Sequence, residues 1–208
     1  MVITAGKTST GRTSNEENNT KHIAITRKKQ LFLLFWVAEE DKGKNFFSES
    51  AQTRLINLKT LEGFDNNIQK VHNPPLHGFA EIQKIIDYWV NHYGGKNKVE
   101  VREVSFFSHA APDGPIIYQA QTTTPLTMLV DDKYKVQMKD EYWRSINFYW
   151  ASSGRLNFFG CNTANPLSNK NFSELFSTYE NCHNIIIGGQ PYFSFPSFYP
   201  DTRATSVL

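Results

Sequence analysis

The sequence has few of the features that mark several common protein classes. Only two cysteines, Cys161 and Cys182, occur in 208 residues, too few for a disulfide-stapled secreted scaffold, although a bond between the two stays open. The longest apolar run, residues 31–38, is far shorter than the roughly 20 residues that cross a bilayer, and it lies too far into the chain to be a signal-peptide core. We therefore expect no membrane span and no signal peptide. The chain should fold in a reducing cytosol, as a protein exported by a signal-independent secretion system also would.

The sequence also lacks an excess of charge of one sign. Lys and Arg number 22 against 20 Asp and Glu, for a formal net charge of +2. This balance argues against a nucleic-acid partner bound through counterion release. His72, His77 and His92 do not have a recognised metal-ligand spacing, so we expect neither a metal nor a cofactor.

What the chain does contain is enough apolar material for a packed core. Hydrophobic residues make up 39% and aromatic residues 14% of the composition, and the length suits one domain of ordinary size. Residues 1–20 are rich in Thr, Ser, Asn and Glu and too polar to offset their ordering entropy, which predicts a flexible segment. Residues 21–208 are then predicted to form a single α/β domain.

Apolar runs and helical spacings alternate along this predicted domain. Short apolar runs bounded by turn formers are typical of strands buried on both faces, and spacings of three and four are typical of amphipathic helices. The alternation predicts a three-layer α/β/α sandwich with a mostly parallel central sheet. The predicted core strands are 31–37, 98–107, 155–160 and 184–187, with weaker strands at 22–25 and 116–118, and the predicted helices are 46–58, 79–93, 140–150 and 173–179.

A reactive side chain directly follows each of two predicted core strands. His109 follows one and Cys161 the other, about fifty residues later, an interval associated with one caspase-type signature. Ligands of open α/β sheets bind outside the carboxyl ends of the strands, where the loops diverge. A thiolate is the nucleophile, and it needs an imidazole nearby and backbone donors for the oxyanion. Gly160 and Ala110 are small enough to leave that backbone accessible.

Taken singly, both residues have a simpler interpretation. A lone cysteine in an apolar run is usually a small core side chain, and a lone histidine near a strand end is usually structural. Their coincidence at one predicted sheet edge favours the catalytic hypothesis. Gln190 and Ser194 follow the last core strand at that edge and, with Asp113, are candidates for substrate contact, although a simple turn would also account for Gln190. Cys182 precedes that strand and is predicted to be structural.

Two segments carry a resemblance to a known family. Residues 108–110 through Asp113 and Gly114, followed by the Phe-Phe-Gly-Cys-Asn-Thr-Ala of residues 158–164, resemble the histidine and cysteine strands of caspase-like cysteine peptidases. The two motifs are similar to those of bacterial branches of that group, which includes toxin self-processing domains. The resemblance implies a caspase–hemoglobinase fold with His109 as general base, Cys161 as nucleophile and the amide of residue 110 in the oxyanion hole. The family usually has glycine after the histidine, where this chain has Ala110.

The resemblance implies a caspase-like peptidase that acts on a protein or peptide substrate. By analogy, such a domain would be an effector or toxin with a cognate inhibitor or a delivery protein as partner. Two other functions stay open. One is a catalytically inactive caspase-like fold that binds a partner protein through the aromatic tail at residues 192–199. The other is a different reaction of the same thiol, acyl transfer or deamidation.

Overall fold

The central feature of the fold is a six-stranded sheet in which every pair of neighbours is parallel. A computed structural model describes residues 27–38, 44–111, 114–115, 117–118, 135–136, 143–167 and 171–191. The sheet strands are β1 Lys29–Val37, β2 Gln69–His72, β3 Pro75–Leu76, β4 Val99–Phe107, β9 Trp150–Phe159 and β10 Ile186–Gly188. Two short antiparallel ribbons lie outside the sheet, formed by β5 Ala110–Ala111 with β6 Gly114–Pro115 and by β7 Ile117–Tyr118 with β8 Lys135–Val136.

The strand order confirms the predicted α/β class with a mostly parallel central sheet. The order is β10-β9-β4-β1-β2, with β3 also paired to β1. Counting only the main strands along the chain, this is the order 2-1-3-4-5 of doubly wound sheets, in which the order reverses between β1 and β4. The helices are α1 Lys44–Lys59, α2 Glu81–His92 and α3 Phe172–Phe176, with a 3-10 turn at Glu180–Cys182. They lie on both faces of the sheet, which is compatible with three layers, and the caspase-like version of this fold stays a prediction.

One face of the sheet is covered by α2 and α3 and is almost entirely apolar and aromatic. Phe106 and Phe158 stack across neighbouring strands with ring centroids 5.6 Å apart, and Trp143 meets both rings edge-on. The three buried residues of α2 recur every four positions and pack into this cluster: Ile82, Ile86 and Val90. Glycines in the left-handed region then end the helix, since Gly94 and Gly95 have φ of 110° and 84°.

The other face, covered by α1, has a smaller apolar cluster beside a buried polar network. Phe47 of α1 packs with Phe107 and Phe159 near the carboxyl ends of the strands. Nearer the strand starts, Arg54 donates two hydrogen bonds, of 3.0 and 2.7 Å, to the carboxylate of Glu103. Because Glu103 is only 3% exposed, that bidentate pairing offsets the cost of burying the carboxylate.

One predicted helix, residues 140–150, is wrong over its second half. Trp143 and Arg144 are helical, but residues 146–149 are irregular and Trp150 already begins β9. Hydrogen bonds between the backbone of Asn147 and the side chain of Gln83 on α2 hold this segment in place of a helical turn. Gly154 therefore lies inside the strand, where a Cβ would come 2.7 Å from the Trp150 ring.

Other predicted boundaries differ less. The strands at 31–37 and 98–107 and the helices at 46–58 and 79–93 are confirmed to within a few residues. The last strand is Ile186–Gly188, and β2 was not predicted at all, since its four residues carry only one buried apolar side chain, Val71. The segments 1–20, 22–25 and 192–199 lie outside the described residues. Among the helices that the structure describes, none combines the length and the apolar character needed to cross a bilayer.

Candidate active site

His109 and Cys161 lie at the same edge of the sheet, just beyond two neighbouring strands. The final pair in the register of β4 and β9 joins Phe107 to Phe159. His109 follows Phe107 by two residues, and Cys161 follows Phe159 by two. Since neighbouring strands run about 4.8 Å apart, the two reactive residues leave the sheet from adjacent positions. The sequence predicted the common edge, and the structure adds the register.

The His109 ring is held from the α1 side of the sheet. The rings of Phe107 and Phe159 stack at 4.7 Å on that side, and the Phe47 ring meets the His109 ring edge-on at 4.9 Å with an interplanar angle of 87°. His109 itself is exposed. The imidazole therefore has one aromatic wall and keeps access to solvent.

Cys161 sits in a tight turn, in surroundings very different from those of Cys182. Its side chain is half-buried, and the next residue, Asn162, has φ of 60°, a left-handed conformation that asparagine adopts more readily than most residues. Cys182 is 2% exposed, and burial raises the pKa of its thiol to about 12. The two cysteines are not bonded to each other.

A single buried hydroxyl, that of Thr163, ties the Cys161 turn to the end of β10. Thr163 is fully buried, and its Oγ1 lies 3.0 Å from the Gly160 carbonyl and 3.2 Å from the Phe158 carbonyl. The same oxygen accepts a hydrogen bond of 3.0 Å from the backbone N–H of Gln190. The Ala164 N–H donates to the Gln190 carbonyl at 2.9 Å, so the turn and the residues after β10 are joined twice.

The turn is also braced by the start of α3. Ser173 donates to the Thr163 carbonyl from its hydroxyl at 2.9 Å and from its backbone N–H at 3.0 Å. Asn171 and Glu174 form a reciprocal capping box that fixes this end of the helix. Gly189 fits here because it has no Cβ, which would collide with the Ser173 hydroxyl. Three segments of chain, the end of β9, the end of β10 and the start of α3, thus converge on the residues that follow Cys161.

Ala110 and Gly160 are in direct contact across the two strand ends. A Cβ on Gly160 would lie 2.5 Å from the Ala110 Cβ and 3.5 Å from the Ala110 nitrogen. Ala110 pairs with Pro115 in the β5–β6 ribbon. Proline cannot donate, so this must be a non-hydrogen-bonded pair, whose N–H groups point away from the partner strand. The Ala110 N–H is therefore directed away from β6, beside the Cys161 turn.

The structure brings together most of the predicted site residues that it describes. His109, Ala110, Gly160 and Cys161 share the sheet edge, and Gln190 joins the Cys161 turn through its backbone. Asp113 and Ser194 lie outside the described residues, so their predicted substrate contacts stay predictions.

Sequence reasoning missed the part of the site that holds the thiol. Thr163 was noted only as a small polar residue after the cysteine, and Ser173 only as the start of a helix. Their partners lie 27 and 10 residues away along the chain, distances at which no periodic pattern signals a contact. A Thr two positions after the predicted nucleophile was the one available signal.

An open groove of about 390 Å³ lies elsewhere, against the first half of α2. Its walls are apolar and aromatic with a few charged groups at the rim: Pro74, Pro75, His77, Glu81, Lys84, Ile85, Tyr88 and Trp89. None of these is a predicted site residue. Within the described ranges, no three His, Cys, Asp or Glu side chains gather as they would around a metal ion.

Comparison with known proteins adds no family to these observations. No protein-family model matches the chain, and no curated protein matches it. The resemblance to caspase-like peptidases therefore depends on the two motifs and on the order of the elements.

Proposed function

We propose that this protein is a caspase-like cysteine hydrolase that cleaves peptides, with Cys161 as nucleophile and His109 as base. One observation carries the proposal: β4 and β9 are neighbours whose register ends at the pair Phe107 and Phe159, and both reactive residues follow that pair by two positions. An in-register pair of strands gives an imidazole and a thiol, 52 positions apart in the sequence, a common exit point from the sheet. Thiol activation needs an imidazole within hydrogen-bond reach of the sulfur, and a common exit point favours that approach.

In the proposed reaction, His109 takes the proton of the Cys161 thiol and the sulfur attacks the peptide carbonyl carbon. The carbonyl oxygen becomes an oxyanion, and the Ala110 N–H, which points away from its ribbon partner, is suited to donate to it. Collapse breaks the C–N bond, and His109 returns the proton to the leaving amine. Water then hydrolyses the thioester, with His109 accepting its proton.

The surroundings of Cys161 support a reactive role over a structural one. A structural cysteine is packed in hydrocarbon, as Cys182 is. Cys161 is half-buried and precedes a residue with positive φ, and non-glycine residues in sparsely populated conformations cluster at functional sites. The methyl group of Ala110 does not block the turn, because Gly160 makes room for it.

A peptide-library digest read by mass spectrometry tests the proposal. Wild-type protein should generate new peptide termini, and Cys161→Ala and His109→Ala should each lower cleavage by at least about 100-fold, in line with loss of a nucleophile or base. Cys182→Ala and His183→Ala are the matched controls and should cleave normally. Cleavage that persists in Cys161→Ala would contradict the proposal.

The same digest separates peptidase activity from the other reactions of a thiol. Acyl transfer and deamidation share the first attack on a carbonyl or carboxamide carbon. Acyl transfer would leave an adduct on a library peptide, and deamidation would leave an acid in place of a side-chain amide. Either product in place of new termini would assign a different reaction to the same dyad.

A further inference from the structure

One buried hydroxyl controls the direction of the peptide group that links Gly160 to Cys161. A threonine hydroxyl can donate one hydrogen bond and accept two. Thr163 accepts from Gln190 N–H at 3.0 Å, and its proton is shared between the carbonyls of Gly160 at 3.0 Å and Phe158 at 3.2 Å. The Gly160 carbonyl is therefore held on the side of the turn that faces the end of β10.

Peptide planarity carries this orientation over to the nucleophile. In a trans peptide, the C=O and N–H groups point in opposite directions. With the Gly160 carbonyl on the β10 side, the Cys161 N–H is directed toward the opposite side, where β4 ends and where Ala110 contacts Gly160. The Ala110 N–H points away from β6 in the same neighbourhood. Both amides thus face the gap between the two strand ends.

We infer that Thr163 is a positioning residue for carbonyl chemistry at Cys161. Its hydroxyl fixes the Gly160 carbonyl and thereby aims the Cys161 N–H at the place where an oxyanion would form. This inference rests on the proposed function, because it presumes that Cys161 attacks a carbonyl. Thr163 itself is fully buried, so in this role it acts through the Gly160 carbonyl and not by contact with the substrate.

Two reagents that attack the same sulfur separate this role from general support of the turn. With p-nitrophenyl acetate, the thiolate bonds to the carbonyl carbon, the oxygen takes up the electron pair, and collapse expels p-nitrophenolate. With iodoacetamide, the S–C bond forms as the C–I bond breaks and iodide leaves, so no oxyanion arises. Both rates depend on the Cys161 thiolate, but only the first depends on oxyanion donors.

The rates are measured for wild type and for three Thr163 variants, with Cys161→Ala as the background. Thr163→Val keeps the shape without the hydroxyl, and acylation should fall about 10- to 100-fold, less than the loss of an entire oxyanion donor. Alkylation should stay within about threefold, because the thiolate and His109 are unchanged. Thr163→Ser restores the hydroxyl and should restore acylation. Thr163→Ala, which adds no methyl group, serves if the valine variant does not fold.

Ser173→Ala is the matched control. It removes a buried hydroxyl bonded to the Thr163 carbonyl without touching the Gly160 carbonyl, so its ratio of acylation to alkylation should equal that of wild type. An equal fall of both rates in Thr163→Val, or unchanged acylation, would overturn the role of Thr163 and leave the dyad intact. Absence of Cys161-dependent acylation in wild type would overturn the dyad and this inference together.

Discussion

Two of the six histidines, His109 and His72, and the two cysteines, Cys161 and Cys182, lie in contrasting surroundings. His109 and Cys161 lie at the carboxyl ends of neighbouring strands and are exposed and half-buried, respectively. His72, at the end of β2, is half-buried and stacks on the Trp89 ring, and Cys182, before β10, is buried in the core. In this comparison each residue type is therefore found at an accessible sheet edge in one case and packed against neighbouring side chains in the other.

The surroundings of His72 suppress its basicity. Its ring stacks on Trp89 with centroids 3.4 Å apart, and its Nε2 lies 2.8 Å from the Tyr93 hydroxyl. Burial, and then the nearby charges of His92, Lys59 and Lys70, lower the pKa of His72 to about 4. His72 is thus neutral at physiological pH.

The contrast teaches that position at a strand end does not by itself make a histidine or a cysteine reactive. His72 is the last residue of the parallel strand β2, and His109 lies two residues beyond the end of the parallel strand β4. What separates them is packing: the rings of Trp89 and Tyr93 stack with His72, whereas among the described residues only the Phe47 ring contacts His109. Burial disfavours the charged form of imidazole and of thiolate alike, so the accessible pair is the one that we propose for catalysis.

The largest expected difference within this contrast is in thiol reactivity. With a pKa of about 12, only about one Cys182 thiol in ten thousand is ionised at pH 8. Iodoacetamide at pH 8 should therefore modify Cys161 at least about a thousandfold faster than Cys182. Peptide mapping by mass spectrometry gives both rates in one sample, and equal rates would remove the distinction between the two cysteines.

The next largest effect is expected on stability, at the contact between Ala110 and Gly160. Gly160→Ala should lower the free energy of unfolding by about 2 kcal/mol, the usual cost of an added methyl group in a packed site, because its Cβ would lie 2.5 Å from the Ala110 Cβ. Adding Ala110→Gly should recover part of that loss, and urea unfolding of the single and double variants measures the coupling. The recovery should be incomplete, since the Ser108 carbonyl is 3.0 Å from the same Cβ. Strict additivity would contradict the contact.

A smaller effect is expected from the pH dependence that His72 contributes. Its pKa is lowered from 6.5 to about 4 in the folded state, so between these values the unfolded chain binds more protons than the folded one. The stabilisation is fully present above about pH 6.5 and is lost as the pH falls toward 4. After discounting for solvent screening, we expect a loss on the order of 1 kcal/mol.

Replacement of His72 by phenylalanine isolates that contribution. His72→Phe keeps a ring to stack on Trp89 but has no proton to bind. Thermal unfolding of both proteins between pH 7 and 4 should show a larger fall in Tm for the wild type, because carboxylates titrate in both proteins and His72 only in the wild type. Parallel curves would mean that His72 has the same proton affinity in the folded and unfolded states.

The smallest effect on stability is expected from the turn that follows Cys161. Asn162 has φ of 60°, which glycine adopts without a Cβ penalty at the cost of a more flexible unfolded chain. The relief of the Cβ penalty in the folded state opposes the greater freedom of the unfolded chain. Asn162→Gly should therefore change the free energy of unfolding by no more than about 0.5 kcal/mol. Asn162→Val, a β-branched residue in the same conformation, should cost distinctly more, and chemical denaturation compares the two.

Local pattern was enough to predict the parts of this fold that decide its class. The apolar runs of β1 and β4 are typical of strands buried on both faces, and the spacing of Ile82, Ile86 and Val90 is typical of a helix with one buried face. The predicted start of β9 was wrong because the side chain of Gln83, 64 residues earlier in the chain, bonds to Asn147 and holds this segment in place of the predicted helix. Tertiary contacts of this kind leave no periodic trace.

The candidate site divides in the same way. Its reactive residues, His109 and Cys161, were predicted because each follows an apolar run, and a common sheet edge follows from parallel topology. The role of the Thr163 hydroxyl was not predicted, because its hydrogen-bond partner Gln190 follows a different strand, β10. Candidate catalytic residues can be recognised in a sequence by residue type and position, whereas the residues that hold them in place are found only from the three-dimensional contacts.

The stacked phenylalanine pairs that join β4 to β9 determine where an inserted residue could be accommodated. Phe106 pairs with Phe158 on one face of the sheet and Phe107 with Phe159 on the other, so rings on both faces resist any sliding of one strand along the other. An extra residue placed after Phe159 could not be absorbed by a shift of the strand, since a one-position slip exchanges inward and outward side chains. The insertion would be expelled into the turn, and the sulfur would move relative to the imidazole while the sheet stayed whole.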